Sequence, residues 1–245
     1  MTTIAHLSDP HLDTSDERLD RLHRVLAQVR GLDDIAAVLV SGDIADHGAP
    51  EEYQEFFTAM ADDLPTVVVP GNHDLGAPMS AALRAVDGNG CLNRVLTVGD
   101  VTLVGLDSHI DDVDEGELGP EALDFARSAI RTAPGRVMVA MHHPPVPVGH
   151  EVMDRLGLQK PEALEALVRG SESVIAVLTG HLHTALATTF AGRPLLGAPG
   201  IVSTLRLGSR TDPIADVTAV PGLALHTIHA GVVRTVFHYL SPNGR

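Results

Sequence analysis

Up to residue 179, hydrophobic and polar positions follow an alternating strand–helix order. Short apolar runs bounded by polar or glycine-containing turns predict buried strands at 3–8, 35–40, 66–69, 95–98, 101–106, 136–141 and 174–179. Apolar residues at helical spacing predict helices at 15–30, 51–61, 78–86, 120–132 and 161–169. We expect the first helix to begin with a capping box formed by Thr14 and Glu17.

Beyond residue 180 the pattern changes to short strand-like segments separated by Gly or Pro turns. These segments are 185–190, 194–197, 201–207, 222–229 and 232–239. Two sheets packed against each other, with helices outside, would accommodate both parts of the chain in an α/β architecture. The sequence contains no linker, low-complexity tract or internal repeat, and we interpret residues 1–245 as one domain.

Composition narrows the class of protein. The 245 residues are 44% hydrophobic, which excludes a disordered acidic chain and allows a sizeable core. The N-terminus lacks the basic and apolar segments of a signal peptide, and no apolar run reaches the ~18 residues of a membrane span. A single cysteine, Cys91, excludes an internal disulfide framework. We therefore expect a cytoplasmic protein without stable membrane insertion.

The net charge of the chain indicates which classes of partner it can bind. Asp and Glu number 32 against 17 Lys and Arg, which gives a formal net charge of −15. Such a surface repels nucleic-acid polymers, so we expect none as a partner. A small phosphorylated substrate remains possible because bound metal ions reverse the sign of the charge locally.

Residues able to bind metals follow the ends of five predicted strands. They are Asp9 and His11, Asp43, Asn72 with His73 and Asp74, His142, and finally His181 and His183. Sites in layered α/β folds form beyond the carboxyl ends of strands, so we expect these side chains to converge. In an extended segment, residues i and i+2 point to the same side. Mixed oxygen and nitrogen ligands suit Zn, Fe and Mn.

Each of these residues also has an ordinary structural interpretation. Asp9 precedes Pro10 and could be only a turn former, and Asp43 could cap a helix. Residues 72–74 could form a plain polar turn, and His142 could be a hydrogen-bonded core histidine. Their joint occurrence in one order favours a metal site over these alternatives.

Other polar residues receive less specific predictions. We expect His6 to belong to the core, and His143 to point away from the site because it directly follows a ligand. For His143, packing or a supporting contact to a ligand is favoured over coordination. His109 follows another strand end and is a candidate for lining the pocket. We interpret the acidic segment 109–119 as a solvated loop rather than a cation site of its own.

The ordered motifs resemble those of the calcineurin-like metallophosphoesterases. They are "DPH" (9–11), "GD" (42–43), "GNHD" (71–74), "HH" (142–143) and "GHLH" (180–183). The stretch 180–200 and "MHHPP" are similar to the class III cyclic nucleotide phosphodiesterases, whereas "GNHD" argues against the "GNHE" pattern of the protein Ser/Thr phosphatases. One departure is Gly200, where a small hydroxyl residue is expected.

The resemblance implies a fold and a two-metal site. The fold is a four-layer α/β/β/α sandwich of the metallophosphoesterase type. One ion would be held by Asp9, His11, Asp43 and His183, and the other by Asp43, Asn72, His142 and His181, with Asp43 bridging both. Fe with Mn is the family-like pair, with Zn or Mn alone as alternatives. A homodimer is also implied.

Roles for the remaining motif residues follow from this two-metal chemistry. Coordination lowers the pKa of bound water towards ~7, and we expect the attacking hydroxide to bridge the two ions opposite Asp43. His73 would protonate or stabilise the leaving oxygen. Asp74 would accept a hydrogen bond from the other nitrogen of His73 and fix its ring.

The expected reaction is hydrolysis of a small phosphodiester, with 3′,5′-cyclic AMP as the first candidate. A glycerophosphodiesterase or a broad phosphomonoesterase would use the same site. A nuclease is disfavoured by the charge of −15. A non-catalytic scaffold should have lost ligands, yet all seven ligand positions and His73 are filled. With two Tyr and five Phe residues, the chain has no clear stacking platform for a nucleobase.

Overall fold

A computed structural model describes residues 1–61, 64–206 and 213–241. The helices in these ranges are α1 (Asp16–Arg30), α2 (Pro50–Ala59), α3 (Gly76–Asp87), α4 (Pro120–Thr132) and α5 (Glu162–Arg169). The strands in the same ranges are β1 (Thr2–Leu7), β2 (Ile35–Val40), β3 (Thr66–Val68), β4 (Arg94–Val98), β5 (Val101–Gly105), β6 (Gly116–Glu117), β7 (Arg136–Ala140), β8 (Leu158–Gln159), β9 (Val174–Thr179), β10 (Leu186–Phe190), β11 (Arg193–Gly197), β12 (Thr204–Leu205), β13 (Ala215–Asp216), β14 (Gly222–His229) and β15 (Val232–Tyr239). Every helix in the described ranges is too short or too polar to cross a membrane.

Two mixed sheets form the centre of the molecule. The first has the order β15-β14-β1-β2-β3, in which β1, β2 and β3 run parallel and β14 is antiparallel to β1. The second has the order β10-β11-β9-β7-β5-β4, with parallel pairing from β11 through β5 and antiparallel edge strands. In both sheets the central strands are parallel, so their carboxyl ends share one edge.

Alternating side chains of the strands build the layers. In β2, Val38 and Val40 pack in a core with α1, α2 and α3, whereas Leu39 on the opposite face packs in a second core between the two sheets. In β7, Val139 packs with α4 and α5, whereas Met138 faces the inter-sheet core. The layers are therefore helices, sheet, sheet and helices, which confirms the α/β/β/α sandwich.

The helix starts follow two different patterns. Pro50 occupies the first turn of α2, and the Glu52 carboxylate accepts the backbone N–H of Ala49 at 3.0 Å. The predicted capping box at α1 is wrong, because Ser15 rather than Thr14 is the N-cap residue and makes no capping hydrogen bond. The Ser15 hydroxyl donates to Asp13 Oδ1 instead.

The strand pattern failed where pairing is very short. Of the predicted strand 201–207, only β12 is a strand, and residue 207 lies outside the described residues. The N–H groups of Ile201 and Val202 donate to the carbonyls of Ser8 and Asp9 at 3.0 and 3.1 Å, which binds this segment to the loop after β1. Strand β13 and the pair β6–β8 were not indicated, since two residues are too few to show a period.

Candidate metal centre

The loops that follow β1, β2, β3, β7 and β9 meet at the shared edge of the two sheets. They bring together all seven residues that sequence predicted as ligands: Asp9, His11, Asp43, Asn72, His142, His181 and His183. Most of these side chains are buried, with Asp9 and His142 fully so. The convergence of residues from five segments produces two adjacent groups of ligand-type atoms.

The first group contains Asp9, His11, Asp43 and His183, each offering one ligand-type atom within 4.8 Å of the others. His11 Nε2 lies 3.1 Å from His183 Nε2 and 3.2 Å from Asp43 Oδ2. His183 Nε2 lies 3.5 Å from Asp9 Oδ1. Four side chains from three loops thus direct nitrogen or oxygen atoms to one point.

The second group is centred on the Asn72 amide oxygen. Asn72 Oδ1 lies 2.9 Å from His181 Nδ1 and 3.1 Å from His142 Nε2, and these two nitrogens are 3.2 Å apart. His142 Nε2 lies 3.4 Å from Asp43 Oδ2, the same oxygen that faces His11 in the first group. Asp43 therefore stands between the two groups.

Outer hydrogen bonds determine which ring nitrogen faces the cluster. His142 Nδ1 donates to the Ser41 carbonyl at 2.7 Å, and His11 Nδ1 donates to Asp46 Oδ1 at 3.0 Å. His183 Nδ1 is 2.7 Å from Ser203 Oγ. Since a carbonyl or carboxylate only accepts, Nδ1 of His142 and of His11 carries a proton, and Nε2 is the atom of each ring that would bind a cation.

The backbone is strained where the side chains converge. Asp9, His11, Asp43, His181 and His183 all have φ between +45° and +68°. Non-glycine residues seldom adopt this region, and such residues cluster at functional sites. Among the described residues, eleven non-glycine residues have positive φ, and five of these are predicted ligands.

Two glycines allow the loops to approach closely. Gly42 has φ of +100°, and a Cβ there would collide with the His142 ring. A Cβ at Gly71 would collide with the Asp43 carboxylate and its backbone nitrogen. The "GD" and "GNHD" motifs thus place glycine where the cluster leaves no room for a side chain.

Burial and mutual charge govern the protons of the cluster. Burial raises the pKa of Asp9 to about 6. Burial alone would lower the pKa of His11 and His142, but Asp43 outweighs it and raises these pKa values to about 10 and about 9. His181 and His183 keep pKa values well below the usual range because of burial. Without a cation, the cluster therefore holds protons on the rings facing Asp43.

The donor set fits two metal ions. Asp9 Oδ2 is buried without a hydrogen-bond partner among the described residues. Ring nitrogens 3.1 to 3.2 Å apart face each other in both groups. Carboxylate, amide oxygen and imidazole together suit Zn, Fe or Mn, and such an ion would replace the protons at these atoms.

The predicted contact between His73 and Asp74 is wrong. Asp74 is fully buried, and its carboxylate accepts the N–H groups of Gly71, Ile44 and Ala45 at 2.8, 3.1 and 3.0 Å. His73 Nδ1 instead donates to the Asp46 carbonyl at 3.0 Å. The Asp74 carboxylate accepts backbone N–H groups from its own turn, 71–74, and from the loop after β2, and it thereby joins the two segments.

The prediction that His143 points away from the site is also wrong. His143 is fully buried, and one ligand-type atom of its ring lies within 4.8 Å of corresponding atoms of His142 and His181. Its Nδ1 lies 2.8 Å from Ser108 Oγ. The loop after β7 is not extended, so consecutive residues there need not face opposite sides.

The sequence did not indicate two residues around the cluster, Asp46 and Arg18. Asp46 contacts His11, Arg18 and His73, with its carboxylate 2.9 Å from the Arg18 guanidinium and 3.8 Å from His73 Nδ1. Asp46 lies three residues after Asp43, in the stretch "GDIADHG" (42–48). The closeness of Asp46 to Asp43 in the sequence was a signal that could have identified it. For Arg18 on α1 the sequence offered no such signal.

The structure gives a steric reason for glycine at position 200. A Cβ there would lie 3.0 Å from His183 Cα and Cβ, in tight contact. A nearby hydroxyl, that of Ser203, lies 2.7 Å from His183 Nδ1.

A cleft of about 330 Å³ opens over both groups. Its floor includes the cluster, and His73 lies at one side with 42% of its side chain exposed. Its outer wall is aliphatic and consists of Met153, Leu156, Leu182, Val202, Leu205, Ile214, Ala215 and Val217. The residues lining it include Asp114 of the acidic segment, whereas His109 lies away from it against Asp107 and Asp111.

The sequence profile of the calcineurin-like phosphoesterases matches residues 2–185, a range that contains every residue of both groups. The chain belongs to this family. The phosphoesterase is 34% identical over 190 residues to the 3′,5′-cyclic adenosine monophosphate phosphodiesterase CpdA of Pseudomonas aeruginosa. The aligned region covers 74% of this chain and 69% of that protein. It is 29% identical over 214 residues to the glycerophosphodiester phosphodiesterase GpdQ of Enterobacter lignolyticus, covering 81% and 77%.

The fold of the phosphoesterase also occurs among solved structures. A dimetal phosphatase from Danio rerio superposes with a TM-score of 0.72 at 13% sequence identity, over 98% of this chain and 99% of that one. At this identity the likeness concerns the fold alone, and it agrees with the four layers described above.

Proposed function

We propose that the protein hydrolyses a small phosphodiester at a two-metal centre, with a 3′,5′-cyclic nucleotide, cyclic AMP first, as substrate. The observation that carries the proposal is the pair of ligand groups sharing Asp43 Oδ2 on the floor of a small cleft. Two relatives are named as a cyclic AMP phosphodiesterase and a glycerophosphodiester phosphodiesterase, which supports a diester as substrate.

One ion would be held by Asp9, His11, Asp43 and His183, and the other by Asp43, Asn72, His142 and His181. When bound, the two ions would supply positive charge to the phosphoryl oxygens and activate water as the nucleophile. We propose Fe with Mn, and Zn or Mn alone as the alternatives, since the nitrogen and oxygen donors suit all three.

His73 is the proposed proton donor to the leaving oxygen. Because its Nδ1 donates to the Asp46 carbonyl at 3.0 Å, Nε2 is the nitrogen available to the substrate. In this role the ring would act as an imidazolium, give its Nε2 proton to the leaving oxygen and become neutral with its proton on Nδ1. The Asp46 carboxylate is in turn fixed by Arg18 at 2.9 Å. Asp46 therefore takes the orienting role that the sequence suggested for Asp74.

The cleft walls favour a diester over a monoester. Apart from histidines, Arg18 is the cationic side chain among the described residues lining the cleft, and it is engaged with Asp46 and Asp13. A phosphomonoester dianion would find no free cationic side chain there, whereas a diester carries one charge fewer. The aliphatic wall around Met153 and Leu205 offers an apolar surface to a nucleobase.

A glycerophosphodiester is the second candidate substrate, favoured by the GpdQ relative. For the whole protein we propose a cytoplasmic location and no nucleic-acid polymer as partner, in line with the charge of −15. A homodimer completes the proposal. Sedimentation velocity measures that state directly.

A substrate panel on Mn-loaded protein tests the reaction. It compares cyclic AMP, cyclic GMP, glycerophosphoethanolamine, bis-p-nitrophenyl phosphate and p-nitrophenyl phosphate. We expect the diesters to exceed the monoester and the cyclic nucleotides to lead. The D43N variant, which removes the shared carboxylate charge, is the control. Any turnover that remains in D43N measures the activity of contaminating enzymes. Faster turnover of the monoester would overturn the diesterase assignment, and a lead for glycerophosphoethanolamine would select the second candidate.

A further inference from the structure

The outer nitrogens of the cluster histidines are not equally satisfied. His11, His142 and His183 each have a hydrogen-bond partner on the nitrogen that faces away from the cluster. His181 faces the cluster with Nδ1, and its outer Nε2 is buried without a hydrogen-bond partner among the described residues. Metal-binding histidines ordinarily donate their outer N–H to an acceptor, so His181 lacks the partner its neighbours have.

The ring of His143 packs against the ring of His181. The centroids of the His143 and His181 rings are 5.0 Å apart, with the planes inclined at 49°. His143 Nε2 is itself buried and unpaired within the described part of the chain. Two buried, unpaired ring nitrogens thus belong to neighbouring rings at the edge of the second ligand group.

The two nitrogens are complementary in hydrogen-bonding character. His181 Nδ1 lies 2.9 Å from Asn72 Oδ1 and is the nitrogen that would hold the second ion. With its lone pair on that ion, the ring would carry its proton on Nε2. His143 Nδ1 lies 2.8 Å from Ser108 Oγ, a hydroxyl that is able to accept a proton from it. In the tautomer with the proton on Nδ1, His143 Nε2 carries a lone pair. In these two tautomers a donor on His181 neighbours an acceptor on His143.

We propose that His143 is a positioning residue for the second metal ion, accepting a hydrogen bond from the Nε2–H of His181 after a small rotation of the rings. This inference rests on the proposed two-metal function. The hydrogen bond holds His181 in the tautomer whose Nδ1 faces Asn72 and the ion. His143 itself coordinates no metal.

The acidic segment supplies the support for His143. Gly116 packs directly on the His143 ring, where any Cβ would collide with it. The Ser108 carbonyl accepts the N–H of Glu117 at 3.0 Å, which closes the segment into a loop around the ring. The loop that contains the acidic residues thus holds the partner of a metal ligand in place.

Metal binding to matched variants tests the inference. In H143L the acceptor is removed with little change in volume, whereas H143Q places an amide oxygen near the position of Nε2. Isothermal titration with Mn²⁺ resolves the two equivalents, and elemental analysis counts the bound ions. We expect H143L to bind the second equivalent 10–100-fold more weakly and the first unchanged. H143Q should recover most of the loss, and S108A should show an intermediate loss.

Several outcomes would overturn the inference. Wild-type affinity for both equivalents in H143L contradicts it, as does equal weakening of both. The same holds if H143Q stays as weak as H143L while circular dichroism and melting temperature show intact folds. A wild-type stoichiometry below two ions overturns the two-metal function and this inference with it, whereas two ions with no diesterase turnover contradicts the proposed reaction alone.

Discussion

Among single residues, Asp46 connects several side chains around the proposed centre. Its carboxylate lies near His11 and Arg18, and its carbonyl accepts from His73. Burial alone would raise the pKa of Asp46, but the hydrogen bonds and charges of His11 and Arg18 outweigh it and hold the pKa well below the usual range. A permanently charged Asp46 therefore couples a proposed metal ligand to the proposed acid.

Replacing His73 by Ala should separate proton donation from metal binding. We expect turnover of cyclic AMP to fall ~10²–10⁴-fold, because a positioned general acid contributes about that much. Metal content should stay at two ions, since His73 is not among the proposed ligands. Bis-p-nitrophenyl phosphate, with its better leaving group, should lose less activity.

The matched control for that experiment is His23→Ala on the exposed face of α1. It should leave both turnover and metal content unchanged. Unchanged turnover in H73A with full metal content would remove His73 from the mechanism.

Residue positions in the cluster were more predictable than residue contacts. Strand ends with ligand-type residues suffice to bring Asp9, Asp43 and His142 to one edge, because parallel strands share that edge. Which side chain His73 touches depends on how the 71–74 turn folds. That turn directs Asp74 to backbone donors instead, and periodicity contains no information about it.

At the scale of elements, His109 connects the loop after β5 to the start of α3. Its ring contacts Asp107 and lies 3.1 Å from Asp111 Oδ1, and the same Asp111 oxygen accepts the Gly76 N–H at 2.8 Å. Burial lowers the pKa of His109, but both carboxylates outweigh it and raise the pKa above its usual value. The contact therefore joins two loops that border the proposed centre.

Because of this contact, the free energy of unfolding should decrease as pH rises into the alkaline range. Because the folded pKa of His109 is raised, its contribution is complete below pH 6.5 and is lost as pH rises through the folded pKa. We expect the unfolding free energy of H109Q to fall short of wild type by about 1 kcal/mol at pH 6, with the difference shrinking at pH 9. Urea unfolding at both pH values measures it, and a pH-independent difference would contradict the role of charge.

At the scale of the whole molecule, two histidines on adjacent strands of the first sheet are buried against each other. His6 on β1 lies 3.1 Å from His226 on β14, and both are fully buried. Ser41 and Thr235 contact the outer nitrogens at 2.8 Å each. Burial lowers the pKa of His226 to about 3, and that of His6 well below its usual value. The fold accommodates both rings without charge.

Acid should therefore destabilise the fold through this pair. A lowered folded pKa means that the contribution of His226 is complete above pH 6.5 and declines as pH falls towards about 3. We expect H226Q, which keeps hydrogen-bonding capacity but does not titrate, to reduce the stability lost between pH 6.5 and pH 4 by about 3 kcal/mol. Urea unfolding of both metal-free proteins measures this. Parallel pH profiles for the two would contradict it.

Two packed sheets with helices outside followed from the change in strand–helix order near residue 180, and the resemblance to the family implied the four layers. Continuous apolar runs such as β2 and β7 are largely buried on both faces, as such an arrangement requires. His6 was predicted as core because it lies within a strand, and it is buried. The two-residue pairs β6–β8 and β12–β13 were beyond this reasoning, because their pairing depends on how the loops meet in space.

The aliphatic wall of the cleft has a consequence for how new specificities can arise. Leu205 and Ala215 lie in a two-residue strand pair, and Met153 and Leu156 in a turn, all separate from the ladders of both main sheets. Exchanges there leave the strand ends that position the catalytic floor untouched. Substitutions in this wall, natural or engineered, can therefore change which substrate is preferred without moving the residues proposed to bind the metal ions.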